Sequence, residues 1–189
     1  MGPKHAGKTS AGLALAALLA GEFVDLDALI ETRTGKSPRL LYTEGPELFK
    51  EAEARALESL IPPGEKGSPE PEQRPLGEKE GPVRIIAAGG GIIDNPKALA
   101  LLKRPGGPLL VYLEVSAETA WERISLAAQA GKGLPPFLNT GTPQATHRQL
   151  HDRRAAAYKG CAHLTIAAGE KTPQAIGREI VSLLGLRGE

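Results

Sequence analysis

One cysteine, Cys161, and few aromatic residues set the first limits on what this 189-residue chain does. A single cysteine excludes an intrachain disulfide, and with no secretory leader recognisable we expect a reducing, cytoplasmic setting. Aromatic residues make up 4% of the chain, too few for the stacking platforms of single-stranded nucleic-acid binders. The formal net charge of +1 provides no basic surface for nucleic acid or an anionic membrane.

Long hydrophobic runs are also missing. The longest apolar stretch near the N-terminus, residues 11–20, is too short to cross a bilayer and predicts a buried helix instead. Hydrophobic residues make up 41% and charged residues 24%, as in a globular protein, and the length predicts one domain over residues 1–189. We therefore expect neither nucleic acid nor a membrane as a partner. A monomer with a small-molecule substrate is also expected, on the motifs described below.

Strand candidates alternate with helix candidates along the chain, which predicts βαβ units and a mainly parallel sheet of an α/β protein. Asp27 is predicted as the N-cap of the second helix and Gly35 as its stop. The predicted strands are 23–25, 83–88, 109–115 and 163–167, and the predicted helices are 8–20, 27–34, 47–60, 96–103, 117–130, 146–159 and 173–184.

Two segments interrupt this alternation. Residues 62–82 are dominated by Pro, Gly, Glu and Lys, which predicts a disordered surface insertion rather than a domain boundary. Residues 131–146 are rich in Gly, Pro and Thr, as is typical of a mobile lid.

The N-terminus matches the pattern G-x-x-x-x-G-K-[ST] of a P-loop, which predicts ATP binding with Mg²⁺. Glycines turn backbone N–H groups around phosphate oxygens, Lys8 reaches the β- and γ-phosphates, and the Thr9 hydroxyl ligates Mg²⁺. Only Met1 precedes the loop where a buried strand is expected, so we expect the native start to lie upstream. The predicted nucleotide-binding residues are Gly2, Pro3, Lys4, His5, Ala6, Gly7, Lys8, Thr9 and Ser10.

Two carboxylates, Asp25 and Asp27, follow at the end of the next predicted strand. Side chains two residues apart in a strand share a face, so both are expected beside the phosphate loop. One can then act on the Mg²⁺ shell while the other accepts a proton or a hydrogen bond from a substrate hydroxyl. The alternative is that they are ordinary carboxylates that cap the following helix.

Further candidates lie later in the chain. Gly89, Gly90 and Gly91 end a predicted strand, where a ligand can approach the backbone closely. Arg154 is suited to a bidentate grip on a carboxylate, although Arg153 is an equal candidate by composition. The simpler interpretation for both arginines is that they lie on a solvent-exposed helix face. The same holds for His147 and His151, which are four residues apart. For Lys50 and Glu53 the simpler interpretation is an exposed ion pair.

In order and spacing these residues resemble the shikimate kinase family over nearly the whole chain. The family pattern F-x-D-x-D-x-x-I-E is matched from Phe23 to Glu31, and G-E-x-x-F-R-x-x-E is approached by residues 45–53. The glycine triplet and then R-x-x-x-Y, here Arg154 to Tyr158, follow in the family's order.

The resemblance implies a P-loop kinase fold, with a five-stranded parallel sheet flanked by helices, and phosphorylation of the 3-hydroxyl of shikimate by ATP. It implies that Lys8 and Asp27 are catalytic and that Thr9 and Asp25 serve Mg²⁺. Arg123 and Pro173 would lie near the nucleotide, and Glu53 would orient Lys50. The implied substrate-binding residues are Asp27, Lys50, Gly89, Gly90, Gly91 and Arg154.

Two departures from the family concern substrate and catalysis. Lys50 stands where the family has Arg, which keeps the charge but loses the bidentate fork and predicts a raised KM for shikimate. The family's lid motif R-P-L-L is replaced here by Pro135-Pro-Phe-Leu138, so the arginine near the transferring phosphoryl group is missing. Lys132 is the candidate substitute in the same segment. Reduced activity is therefore expected.

Two other functions remain open at this point. One is another small-metabolite kinase, such as a gluconate or nucleoside-phosphate kinase, against which the aspartate pair and the glycine triplet argue. The other is a non-catalytic homologue that binds a nucleotide or a partner, which the two departures favour.

Overall fold

A computed structural model describes residues 1–61 and 83–186, so the predicted insertion at 62–82 lies outside the described residues. The strands in these two ranges are β1 (Glu22–Asp25), β2 (Arg84–Ala87), β3 (Val111–Glu114) and β4 (Leu164–Ala167). The α-helices of the same described ranges are α1 (Lys8–Leu18), α2 (Leu26–Thr34), α3 (Pro38–Glu44), α4 (Pro46–Leu60), α5 (Pro96–Leu102), α6 (Ala117–Ala127), α7 (Pro143–Cys161) and α8 (Pro173–Leu183). Short helical turns occupy Ile92–Asp94, Ala128–Lys132 and Pro136–Leu138.

The strands pair in parallel, which confirms the α/β class, but the described residues form two separate two-stranded sheets. β1 pairs with β2 from Glu22 opposite Arg84, and β3 pairs with β4 from Val111 opposite Leu164. Met1 adds strand-like hydrogen bonds to β3. Its amino group donates to the Val111 carbonyl at 2.7 Å, and the Leu113 N–H donates to the Met1 carbonyl at 2.9 Å.

Two apolar clusters stabilise the two strand pairs. The first lies among α2, α4, α5 and the end of β2, and includes the fully buried Leu26, Ile30, Leu57 and Ile92. The second joins β3 and β4 to α1, α6 and α8. Burying a large aliphatic side chain contributes about 1.5–3 kcal/mol, so these clusters fix the helices that carry the loops at the strand ends.

The start of α2 corrects the prediction that Asp27 is its N-cap. Asp25 is the N-cap, and its Oδ1 accepts hydrogen bonds from the Asp27 N–H at 3.0 Å and the Ala28 N–H at 3.3 Å. The strand ends at Asp25, so Asp27 lies in the first helical turn and not on a strand face. The stop at Gly35 is confirmed by its left-handed φ of 67°.

Three helix assignments also differ from the prediction. α3 was not predicted, because seven residues are too few to reveal a helical period. α6 ends at Ala127, before a wider turn, and α7 begins at Pro143 because proline is well suited to the first helical turn. Within the described residues, no helix is long and apolar enough to cross a membrane.

The prediction that His147 and His151 are on a solvated face is wrong. His147 is buried, with its ring 5.6 Å from that of Trp121 on α6 and 5.8 Å from that of His151. His151 Nε2 lies 3.0 Å from the Val115 carbonyl oxygen. Burial lowers the pKa of His147, and repulsion from His151 lowers it further. The two imidazole rings therefore pack between α7 and α6, with the segment that precedes α6.

Candidate active site

The phosphate loop, residues 2–9, has the backbone geometry that its glycines predict. Gly2, His5 and Gly7 have positive φ values of 149°, 61° and 86°. A Cβ atom at Gly2 would lie 2.6 Å from the Leu113 carbonyl oxygen, so only glycine fits against β3 there. Gly7 caps α1 without a side-chain hydrogen bond, and the first turn contains no acidic residue. The start of α1 is therefore suited to an anion.

Lys8 is held against this loop by a hydrogen bond from its Nζ to the Pro3 carbonyl at 2.7 Å. Burial lowers its pKa to about 8, and Lys4 adds to the effect, whereas Asp27 and Asp25 oppose it. A lysine held against the loop in this way can neutralise an incoming phosphate.

Asp25 connects three elements at the edge of the loop. Its Oδ2 accepts a hydrogen bond from the Thr9 hydroxyl at 2.8 Å, while its Oδ1 caps α2. Thr9 lies on α1 and Asp25 ends β1. A hydroxyl and a carboxylate oxygen at this distance are the hard oxygen donors that Mg²⁺ prefers, so the pair fits that ion.

The glycine turn, Gly89 to Gly91, lies between the phosphate loop and the remaining candidates. A Cβ atom at Gly90 would be 3.3 Å from the Gly2 carbonyl oxygen and 3.3 Å from the Lys4 backbone nitrogen. One at Gly89 would be 3.3 Å from Asp27 Oδ1 and 3.4 Å from Glu53 Oε1, and one at Gly91 would be 3.8 Å from Arg154 Nη2. The three glycines therefore lie between the phosphate loop on one side and Asp27, Glu53 and Arg154 on the other.

Two carboxylates on the far side of the glycine turn have raised pKa values. The Asp27 residue is exposed, but the protein atoms around it still reduce its hydration and raise its pKa, and repulsion from Asp25 adds to this. Glu53 is fully buried, and burial raises its pKa to about 7. Its Oε2 accepts a 2.9 Å hydrogen bond from Asn95 Nδ2, while its buried Oε1 has no hydrogen-bond partner among the described residues. Both groups are therefore easier to protonate than ordinary carboxylates.

The structure contradicts the expectation that Glu53 orients Lys50. Lys50 Nζ pairs with Glu47 at 2.7 Å, and the Glu47 side chain is 83% exposed. Glu53 faces the buried side of α4, where Asn95 also bonds the Lys50 backbone carbonyl at 2.8 Å. The role of Asn95 was missed, although its place before Pro96 has the signature of a helix N-cap, which it is.

Arg154 is held by a carboxylate that the sequence did not single out. Its Nε donates to Asp94 Oδ2 at 2.8 Å, and its Nη2 lies 2.7 Å from the same oxygen. Arg153 Nη2 also donates to this oxygen, at 3.0 Å. The Arg154 guanidinium also lies over the Phe137 ring, 5.6 Å from its centroid. No pattern in the sequence marks Asp94 as a partner of Arg154, because 60 residues separate them.

Tyr158 and Arg123 fix the backbone on either side of the site. The buried Tyr158 hydroxyl donates to the Gly90 carbonyl, and its ring stacks on Tyr112 at 5.0 Å. Arg123 donates to the carbonyls of His5 at 3.0 Å and Gly169 at 2.6 Å, so it contacts the phosphate loop. Pro173 begins α8 after its N-cap Thr172.

In the segment 131–146, Pro135 stands where the family pattern has an arginine, and it precedes the Pro136–Leu138 turn. The Lys132 side chain lies outside the part of the chain that the structure describes. Arg39 of α3 donates to the Leu134 carbonyl at 2.9 Å and so fixes this segment to the rest of the protein.

Comparison with known proteins agrees with this arrangement. The family model described as shikimate kinase matches residues 4–66 and 72–185. The shikimate kinase of Lactococcus lactis subsp. lactis is 34% identical over 172 residues, which cover 91% of this chain and 90% of the relative. The shikimate kinase of Burkholderia thailandensis is 30% identical over 189 residues, which cover 100% of this chain and 89% of the relative.

Solved structures give the same result. The shikimate kinase from Acinetobacter baumannii in complex with shikimate matches with a TM-score of 0.75 and 29% identity, covering 97% of this chain and 89% of that one. The shikimate kinase from Bacteroides thetaiotaomicron matches with a TM-score of 0.74 and 25% identity, covering 98% and 96%. Sequence and fold thus agree over nearly the full length, and the chain belongs to the shikimate kinase family.

Proposed function

We propose that this protein transfers the γ-phosphoryl group of ATP to the 3-hydroxyl of shikimate. The observation that carries the proposal is the glycine turn. Gly90 contacts the phosphate loop, Gly89 lies beside Asp27 and Glu53, and Gly91 faces Arg154. A nucleotide on the loop and a hydroxylated carboxylic acid on the turn would therefore meet at Asp27.

The nucleotide part of the proposal rests on the loop and the start of α1. Backbone N–H groups of the non-proline residues in 2–10 would surround the phosphates, and Lys8 would neutralise charge that develops on the transferring group. Arg123 already bonds the loop at His5, which supports its place beside the nucleotide. Thr9 and Asp25 would hold Mg²⁺, which offsets phosphate charge when bound.

The acceptor part assigns one task to each charged group. Arg154 and Lys50 would bind the shikimate carboxylate, and Asp27 would bind its hydroxyls and orient the nucleophile. The raised pKa of Asp27, caused by reduced hydration and by Asp25, brings it closer to the range of an effective general base.

The proposed reaction is a single displacement at the γ-phosphorus of ATP. The acceptor oxygen bonds to the γ-phosphorus while the bond from that phosphorus to the β–γ bridging oxygen breaks. The hydroxyl proton passes to the Asp27 carboxylate, and ADP leaves with the electron pair of the broken bond. Close positioning of the two substrates supplies much of the rate in such transfers.

The test is ADP release with ATP and Mg²⁺, measured with and without millimolar shikimate. We expect shikimate-dependent release that Lys8→Ala reduces by at least about a hundredfold, since Lys8 stabilises transferring charge. Gluconate and nucleoside monophosphates serve as alternative acceptors in the same assay. Release that depends on one of them and not on shikimate would reject the proposed substrate.

A second candidate, nucleotide binding without transfer, is favoured by one observation. Pro135 stands where the family's lid arginine is expected, and a cation at that place can be worth orders of magnitude in rate. Calorimetric binding of ATP together with no ADP release, from protein shown to be folded by circular dichroism, would support this candidate.

A further inference from the structure

Asp94 lies where a substrate carboxylate would bind. Its Oδ2 accepts a hydrogen bond from Arg154 Nε and lies 2.7 Å from Nη2, and these two nitrogens form one edge of the guanidinium fork. That edge is one of those that a carboxylate uses for two parallel hydrogen bonds. The Nη2 atom also points towards Gly91 in the glycine turn. The protein therefore offers its own carboxylate to the arginine proposed to bind the substrate.

The surroundings keep Asp94 in this place. Arg153 Nη2 donates to Asp94 Oδ2 at 3.0 Å from the outer side. The Arg153 side chain is 62% exposed, whereas that of Arg154 is 18% exposed. Burial opposes ionisation of Asp94, but the two arginines outweigh it and hold its pKa below the usual range. Phe137 lies over the guanidinium face of Arg154, which limits where that side chain can move.

We propose that Asp94 is a specificity-determining residue that competes with the substrate carboxylate for Arg154. The inference rests on the proposed function, since it requires a carboxylate-bearing substrate at Arg154. The substrate must displace Asp94 from the Nε edge or bind beside a like charge, and both weaken its binding. Lys50 cannot fully compensate, because it pairs with Glu47 and lacks a bidentate fork.

The deciding variant is Asp94→Asn, which keeps the shape of the side chain and removes its charge. We expect the dissociation constant of shikimate, measured by calorimetry, to fall by about threefold to tenfold, the range for relief of one partly exposed charge. The methyl ester of shikimate has no carboxylate charge, so its affinity should not change. Glu118→Gln is the matched control, because it breaks an exposed pair with Arg148, a residue of α7, the helix that carries Arg154.

A second variant predicts the opposite sign. Arg153→Gln leaves Asp94 with Arg154 as its remaining guanidinium partner, and shikimate affinity should fall by about twofold. A purely structural role for Asp94 would not produce opposite shifts in two variants with unchanged melting temperatures.

Three outcomes would overturn the inference. They are unchanged or weaker shikimate binding by folded Asp94→Asn, an equal gain in affinity for the methyl ester, and an equal gain in Glu118→Gln. If the unaltered protein releases ADP with shikimate, any of these rejects the competition alone. If the unaltered protein neither binds nor phosphorylates shikimate, the proposed function and this inference fail together.

Discussion

The phosphate loop and the acceptor side, which comprises Asp27, Lys50, Glu53, Asp94 and Arg154, hold their polar groups in different ways. In the loop, partners are near in sequence: Lys8 bonds a carbonyl five residues away, and Thr9 bonds a carboxylate 16 residues away. On the acceptor side, Asn95 reaches Glu53 over 42 residues and Arg154 reaches Asp94 over 60. The polar side chains of the loop thus have local partners, although Arg123 also bonds the His5 carbonyl from α6. On the acceptor side the Lys50–Glu47 pair is local, whereas Glu53 and Arg154 depend on how distant elements pack.

The largest expected effect tests the residue where the two regions meet. Asp27→Asn should lower kcat by roughly a hundredfold to ten-thousandfold, because it removes the proposed proton acceptor. The KM for ATP should change little, since the loop keeps its own contacts. Initial rates with each substrate varied in turn measure both effects.

The control for this variant is Glu22→Gln, an exposed carboxylate on the strand that ends at Asp25. Its kcat should match that of the unaltered protein. A kcat for Asp27→Asn within a factor of a few of the control would show that the two regions do not meet at this carboxylate.

The second prediction concerns stability on the acceptor side. Burial raises the pKa of Glu53 from 4.5 to about 7, so the stability that its protonation contributes is complete below pH 4.5 and lost as pH rises through 7. Glu53→Gln cannot ionise and keeps the bond from Asn95. As the pH rises from 5 to 8, the unfolding free energy of the unaltered protein should therefore fall by up to roughly 3 kcal/mol relative to that of Glu53→Gln.

Urea unfolding at several pH values measures this difference. Glu118→Gln again supplies an exposed carboxylate for comparison, and its difference from the unaltered protein should stay nearly flat over the same range. A difference that does not change with pH would mean that Glu53 ionises in the folded protein at no cost in stability.

The smallest expected effect restores the arginine of the family. Lys50→Arg should lower the KM for shikimate severalfold at unchanged kcat, because a guanidinium can grip the carboxylate with two hydrogen bonds. Lys36→Arg, which alters an exposed lysine paired with Glu44, is the matched control. An unchanged KM for Lys50→Arg would indicate that Glu47 or Asp94 takes the new guanidinium.

The same contrast explains how much could be predicted. The alternation of strands and helices predicted the parallel pairing, and the loop motif predicted the positive φ values at Gly2 and Gly7. The capping error at Asp25 arose because both aspartates suit an N-cap, and the choice depends on where β1 ends. The pair of Arg154 with Asp94 requires the relative positions of distant elements, which one sequence does not contain. The pair of Lys50 with Glu47 lies within α4 at a spacing of three residues, so the sequence offered Glu47 and Glu53 as equally spaced partners and could not decide between them.

The contact between Trp121 and His147 gives this protein an optical reporter of its own. Trp121 is the only tryptophan in the chain, and α6 also carries Arg123, which bonds the phosphate loop at His5. The lowered pKa of His147 leaves its imidazole neutral near pH 7, which limits quenching of the indole by a charged neighbour. Ligands that shift α6 or α7 should therefore change the emission of an unlabelled sample, and a titration in a fluorimeter can follow them one at a time.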